Sequence, residues 1–176
     1  AAKALDEIAD VVLVEPKDAF VHNIAALRGL VDPDWTERIF YPYDRLLRNG
    51  RVIHDRAARV DADAVILGSG ERIEADYIVL ASGSAYPFPA KMDTHDSNTA
   101  KSRIANTRAE LIKAERVLLL GAGPVGLELS GEIKAAWPDK AVTIIDPIDD
   151  VLSGQYSDAM RKEIRRQARG RRKVTW

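Results

Sequence analysis

The sequence has 176 residues, 46% hydrophobic and 30% charged, with a formal net charge of -1 and no cysteine. This is ordinary globular composition, long enough for one domain or two small ones. It excludes disulfides, thiolate metal sites and a cysteine nucleophile within this sequence, and it offers no global basic field for nucleic acid.

No run of about 18 apolar residues occurs, so no membrane-spanning helix is expected. Residues 1–10 carry Lys3, Asp6, Glu7 and Asp10, unlike a secretory leader. A cytoplasmic protein, with room for a peripheral membrane contact, is the expectation. Charge is uneven: residues 161–173 hold eight basic residues and one acid. That stretch reads either as a solvated helix face with a tail or as a contact to phosphate or acidic lipid.

In chain order, residues 1–9 predict a helix with Ala4, Leu5 and Ile8 as its buried stripe. Residues 11–15 (VVLVE) predict a buried parallel strand closed by an acid. Short helices are expected over 22–31 and 43–48, punctuated by Pro33 and Pro42. The runs 51–54, 56–61, 63–67 and 72–75 predict a small antiparallel meander, with a hairpin at Gly68-Ser69-Gly70. The meander feeds a strand at 77–80, which ends in the small-residue loop Ala81-Ser82-Gly83-Ser84. A proline-rich connection covers 85–97. A helix over 98–114, with Ile104, Leu111 and Ile112 on one face, precedes a βαβ pattern: strand 116–120, helix 125–136, strand 142–145. A last helix is expected over 157–169.

The strongest motif joins the strand Val117–Leu120 to Gly121-Ala122-Gly123-Pro124-Val125-Gly126, with Asp146 lying 20 residues beyond Gly126. A GxGxxG alone is weak; one that follows a strand, opens a helix and precedes a strand-ending acid is a dinucleotide fingerprint. Gly121 permits the sharp turn, Gly123 lets backbone approach a pyrophosphate, and Gly126 allows close helix–strand packing. Pro124 suits the first helical position, where no N–H is needed. The helix N-terminus offers N–H groups and a positive dipole end to phosphate. Asp146 can accept from ribose hydroxyls and would repel a 2′-phosphate, which favours NADH over NADPH. The competing reading is a packing turn followed by a loop acid. Glu128 has two readings as well: a contact to the nicotinamide ribose, or a first-turn acid favoured by the dipole.

Glu15 ends its strand as Asp146 does. Alone it reads as a loop acid. Behind a helix it reads as the second half of a βαβ unit whose first strand and glycine turn would precede Ala1. The fold class is therefore α/β: two Rossmann-like dinucleotide-binding units with a small antiparallel β-meander, the first unit incomplete. The expected division is 1–97 as a partial FAD-binding domain and 98–176 as an NAD(H)-binding domain truncated at its C-terminus.

Three segments carry a family resemblance: VEPKDAFVHNIAALRGLV (14–31), DYIVLASGSAYPFPAK (76–91) and VLLLGAGPVGLELSGEIKAAWPDKAVTIID (117–146). Over roughly 1–157 the chain resembles the two-dinucleotide-binding flavoproteins, in particular the apoptosis-inducing-factor-like NADH:quinone oxidoreductases of the ferroptosis-suppressor type. The resemblance implies FAD on the first unit and NADH on the second. It implies Glu15 at the FAD adenosine ribose, Arg28 near the flavin pyrophosphate, and Ala57 presenting backbone to the adenine. It places Ser82 and Gly83 close to the cofactor and Lys91 near the nicotinamide side of the flavin. Arg28 and Lys91 otherwise read as surface residues. His22, His54 and His95 are single and read as structural; no metal ligand set is expected. The loop Ala81-Ser82-Gly83 stands where the family carries Ala-Thr-Gly, the family's first glycine motif and later flavin segment are missing, and poor flavin retention by this segment alone is expected.

The implied chemistry is hydride transfer from NADH to flavin, then electron transfer to a quinone or similar small acceptor. The positions where related disulfide reductases keep redox cysteines hold none here, so no protein dithiol of this segment relays electrons. A homodimer is compatible with this reading. The alternative is a non-catalytic, apoptosis-inducing-factor-like module that binds NADH or a partner through its basic stretch. A single-Rossmann dehydrogenase fits poorly, since no Tyr-Lys or His-Asp set stands at suitable spacing.

Overall fold

The computed structural model describes residues 1–170, 174 and 175. The chain divides into two compact units: residues 1–22 with 40–100, and residues 23–39 with 101–176. The mixed α/β class is as the sequence predicts, with parallel pairs and an antiparallel meander.

In the first unit, α1 (Ala2–Leu5) is shorter than the expected helix, and its stripe is reversed. Ile8 is 80% exposed, whereas Asp6 is buried at 4%. The Asp6 carboxylate accepts N–H groups from Arg48 (2.6 Å), Asn49 (3.2 Å) and Gly50 (2.7 Å), and Asn49 Nδ2 donates to its carbonyl (2.8 Å). A carboxylate that collects three backbone donors satisfies a loop no ladder could satisfy. These bonds hold the Asp6 carboxyl below its usual range, the Arg48 N–H contributing most. Gly50 is required here by space: a Cβ would lie 2.3 Å from the Val11 carbonyl oxygen.

β1 (Val12–Val14) does run where predicted. Its parallel partner is β4 (Arg51–Ile53), which therefore leaves the meander. Between them β2 (Ala19–Val21) and β3 (Phe40–Pro42) form an antiparallel pair that the periodicity did not announce. The true meander has three strands, β5 (Ala57–Val60), β6 (Ala64–Leu67) and β7 (Arg72–Glu74), turned at the two breaks read from sequence. Residues 77–80, expected as a strand, join no ladder among the described residues. Their apolar side chains are correspondingly open, Tyr77 at 92% and Leu80 at 74%. With no neighbouring strand to take their N–H and C=O groups, they have no ladder to join.

The second unit holds α2 (Ala26–Val31) and α3 (Pro33–Arg38), with Asp32 capping α3 through the Asp34 N–H at 2.9 Å. The long α4 (Ser97–Lys113) enters from the first unit, where Asp18 accepts from the Ser97 N–H (2.9 Å) and hydroxyl (2.6 Å). Ile104 is fully buried as predicted, but Ile112 is 57% exposed. β8 (Arg116–Leu120), α5 (Pro124–Ala136) and β9 (Ala141–Ile145) form the expected βαβ unit. α6 (Asp158–Gly170) leads to β10 (Val174–Thr175), giving a parallel sheet in the order β10-β9-β8. Val142 and Ile144 of β9 and Ile133 of α5 are buried, the sheet-on-helix core of this unit.

Arg108 ties α4 to α2. Its guanidinium donates to the carbonyls of Leu30 (3.0 Å) and Gly29 and to Thr36 Oγ1, while Thr36 Oγ1 donates to the Gly29 carbonyl at 2.8 Å. The carbonyls that end a helix lack intrahelical donors, and a cation there also meets the negative dipole end. Removing the guanidinium takes that donor from the Leu30 carbonyl and leaves the Gly29 carbonyl with the Thr36 hydroxyl alone. Arg108→Ala is therefore expected to cost about 2–3 kcal/mol, read as a lower urea midpoint with unchanged slope.

Candidate functional site: the glycine turn and its acids

β8 delivers the chain into the turn at 121–126 and α5 carries it away. Gly121 has φ +108°, a conformation that glycine adopts without steric cost. At Gly126 a Cβ would stand 2.0 Å from the Gly121 carbonyl oxygen, so the third glycine is demanded by the turn folding onto its own helix. Gly123 differs. It is extended (φ -74°, ψ -179°), and a Cβ there would meet nothing within 4 Å. Its lack of a side chain thus leaves room over the helix N-terminus rather than filling a packing need. Pro124 takes the first helical position, Val125 follows, and no side chain caps the helix. Backbone donors and a positive dipole end bordering open space suit a phosphate.

Asp146 stands at the end of β9. Its Oδ2 accepts the Ala122 N–H (2.7 Å), and its Oδ1 accepts the Ile148 N–H (2.9 Å). The Ala122 bond and then the Ile148 bond hold its carboxyl below the usual range. Each carboxylate oxygen keeps a further lone-pair site for a hydroxyl donor. Glu15, in the first unit, has the same local device. Its Oε1 accepts the Lys17 N–H two residues on, at 3.0 Å. The Tyr43 hydroxyl donates to Oε2 at 3.5 Å; burial, then the Glu15 charge, pushes that phenol up to about 12.

Arg28 and Glu128 fall in the second unit. Arg28 pairs with Glu132 at 3.0 Å and lies 5.4 Å from the Trp35 ring centroid. Burial, and next the nearby Glu132 charge, raise the Glu128 carboxyl above its usual range, with Arg28 opposing. In the first unit, Lys91 Nζ donates to the Ser84 carbonyl (2.6 Å) and hydroxyl (2.7 Å). Lys91 is thereby tied to the small-residue loop, in which Gly83 has φ +69° and Ser82 is exposed. Ala57 opens β5 on an exposed edge.

Glu132, Trp35, Tyr43 and Arg108 were not nominated from sequence. One signal was available: Glu128 and Glu132 are like charges at i and i+4, which repel unless a cation intervenes. The basic helix α6 is largely spoken for. Arg165 pairs with Asp150 (2.6 Å), Arg166 with Glu163 (2.6 Å), and Arg161 donates to the Gly154 carbonyl (2.7 Å). Arg171, Arg172 and Lys173 lie outside the described residues. Among the described residues there is no metal-binding cluster, and no helix is long and apolar enough to cross a membrane.

The family model for pyridine nucleotide-disulphide oxidoreductases matches residues 7–176. This chain belongs to that family. It is 32% identical over 155 residues to apoptosis-inducing factor homolog B of Dictyostelium discoideum, covering 87% of this chain and 40% of that protein. It is 31% identical over 159 residues to ferroptosis suppressor protein 1 of Xenopus laevis, covering 88% and 42%. The chain thus spans about two-fifths of the curated relatives it matches. Among solved structures it is similar to the water-forming NADH oxidase of Lactobacillus brevis bound to NADH, with TM-score 0.66, 20% identity, and 98% and 42% of the two chains covered. The sulfide:quinone oxidoreductase of Aquifex aeolicus gives TM-score 0.69 at 21% identity, over 99% and 47%. At these identities the likeness is one of fold.

Two outcomes follow. Gly126→Ala forces a methyl onto the Gly121 carbonyl, and overpacking of this kind costs about 1–3 kcal/mol; thermal unfolding reads the loss. For Asp146, a depressed folded-state pKa means its contribution is complete above the unfolded value near 3.9 and is lost as pH falls through the lower folded value. The stability difference between Asp146→Asn and the parent should therefore stay constant from neutral pH down to about 5 and shrink only below about 4.

Proposed function

We propose that this segment forms the NADH site, and part of the FAD site, of a flavin-dependent oxidoreductase that passes electrons to a quinone or a similar small acceptor. One observation carries the reading: an uncapped helix N-terminus behind a side-chain-free Gly123, with the Asp146 carboxylate bonded into the same turn. The turn would hold the pyrophosphate of NADH through backbone N–H groups, and Asp146 would accept from the adenosine ribose hydroxyls. Its negative charge disfavours a 2′-phosphate. Glu15 would play the corresponding part toward the FAD ribose, kept in place by Lys17 and Tyr43. Ala57 offers backbone at a strand edge for the adenine. Ser82 and Gly83 form a loop without bulky side chains for close approach to the flavin, and Ser84 holds the Lys91 ammonium beside that loop. Glu128, with its raised proton affinity, is suited to hydrogen-bonding the nicotinamide ribose.

When bound, the two cofactors supply the redox chemistry, hydride from the nicotinamide to flavin N5 and electrons from the flavin onward. The residues here bind, orient and exclude. Support for a quinone-type acceptor comes from the resemblance to NADH:quinone oxidoreductases and from the absence of cysteine in the sequence. The engagement of the α6 arginines, Arg161 by Gly154, Arg165 by Asp150 and Arg166 by Glu163, weakens the reading of this helix as a phosphate-binding face.

The test is calorimetry and anaerobic stopped-flow on the FAD-loaded intact protein. NADH is expected to bind at least about tenfold tighter than NADPH, a difference of about 1.4 kcal/mol, and to bleach the flavin. Asp146→Ala should narrow that preference. Equal affinity for the two nucleotides, or a flavin left oxidised by NADH, would overturn the proposal.

A further inference from the structure

Glu128 and Glu132 lie one turn apart on α5 and so share a face. Two carboxylates at this spacing repel; Glu128 is exposed and Glu132 half-buried. The second unit supplies the compensating cation from α2. Arg28 Nε lies 3.3 Å from Glu132 Oε1 and 3.4 Å from Oε2, and Arg28 Nη2 lies 3.0 Å from Oε1. A fork of this kind fixes the plane of the guanidinium, which a single contact would not. Trp35 of α3 covers it at 5.4 Å. The acid is the sheltered member: its side chain is 17% exposed against 51% for Arg28. Glu132 therefore grips from inside while the guanidinium faces outward.

The helix that carries Arg28 is itself fixed, because Arg108 bonds the carbonyls of Gly29 and Leu30 just beyond it. An arginine with its rotamer already set pays little ordering entropy when an anion arrives. We propose that Glu132 is a positioning residue that holds the Arg28 guanidinium ready for a phosphate anion, the flavin pyrophosphate under the function proposed above. This rests on that reading for the identity of the anion only. The Glu132 charge also reaches Glu128, whose proton affinity it raises after burial, with Arg28 acting the other way; Asp32 is the further charge near Arg28. The residue nominated for one nucleotide and the residue nominated for the other thus both answer to a third that sequence left unassigned.

The experiment uses the intact protein and two variants, Glu132→Gln and Glu132→Asp. The first keeps reach and loses charge; the second keeps charge and loses reach. In the cofactor-free protein, the Arg28 Nε–H is expected to give a resolved, slowly exchanging NMR resonance. Both variants should lose it. The Glu128 carboxyl titration should move down toward the ordinary carboxylate range in Glu132→Gln and stay near the parent in Glu132→Asp. A residue that merely stiffened the helix would not produce this split. FAD affinity should fall about tenfold in both variants, the loss expected for one charge-assisted hydrogen bond.

Unchanged FAD affinity in both variants overturns the positioning role, even if Glu128 shifts. A parent protein that binds no FAD refutes the function proposed above; inorganic pyrophosphate then becomes the probe, and it must shift the parent's Arg28 resonance for the inference to stand. Should Glu132→Gln fail to fold, Arg28→Lys replaces it, keeping the charge without the fork. The same tenfold loss is expected there, and parent-like affinity overturns the idea.

Discussion

A single close approach governs the second unit: the Gly121 carbonyl oxygen lies where any side chain at position 126 would have to begin, 2.0 Å from an ideal Cβ. The chain can reverse from β8 into α5 this tightly only because both residues are glycine. Once it does, the start of α5 lies beside the end of β9, and the Asp146 carboxylate reaches the Ala122 N–H. Strand, turn, helix and acid are therefore not four features that happen to coincide. The turn sets where the helix begins, and the acid braces the turn from the neighbouring strand, which itself accepts the Gly121 N–H at the Ile145 carbonyl (2.7 Å).

The two units repeat one local device in different surroundings. In each, an acid that follows a strand accepts the N–H two residues on, Glu15 from Lys17 and Asp146 from Ile148. The second oxygen distinguishes them. In the first unit it faces the Tyr43 phenol, a long contact from a side chain whose proton is held unusually firmly. In the second it takes a short backbone bond from the glycine turn. A backbone donor cannot rotate away, so Asp146 is the more rigidly placed of the two.

What the sequence made legible follows from where physics is local. The βαβ run from 116 to 145 was readable because strand, glycine turn and helix are each set by near neighbours, and Val142 and Ile144 alternate as a strand face should. The hairpin at 68–70 was readable for the same reason. The first helix was misjudged because Leu5 and Ile8 look like core while the buried group is Asp6, whose partners stand more than forty positions away. β2 and β3 were missed because each is three residues long and pairs across the intervening helices, with no period to show it. Residues 77–80 have strand composition but no ladder to join. Among site residues, the glycines and Asp146 were legible through spacing. Tyr43, Trp35 and Glu132 were not, because each acts through a tertiary contact.

The placement of residues 23–39 carries the largest consequence. In sequence they lie between two stretches of the first unit, yet they pack with residues 101–176. α2 and α3 bring Arg28 and Trp35 onto the α5 face that displays Glu128 and Glu132. An arginine of α2 is thereby paired with the helix that starts at the glycine turn. Any anion that draws on Arg28 must share it with Glu132, and the charge felt by Glu128 changes with that sharing. Coupling of this kind needs no moving domain. It needs only one half-buried carboxylate whose cation is also wanted elsewhere.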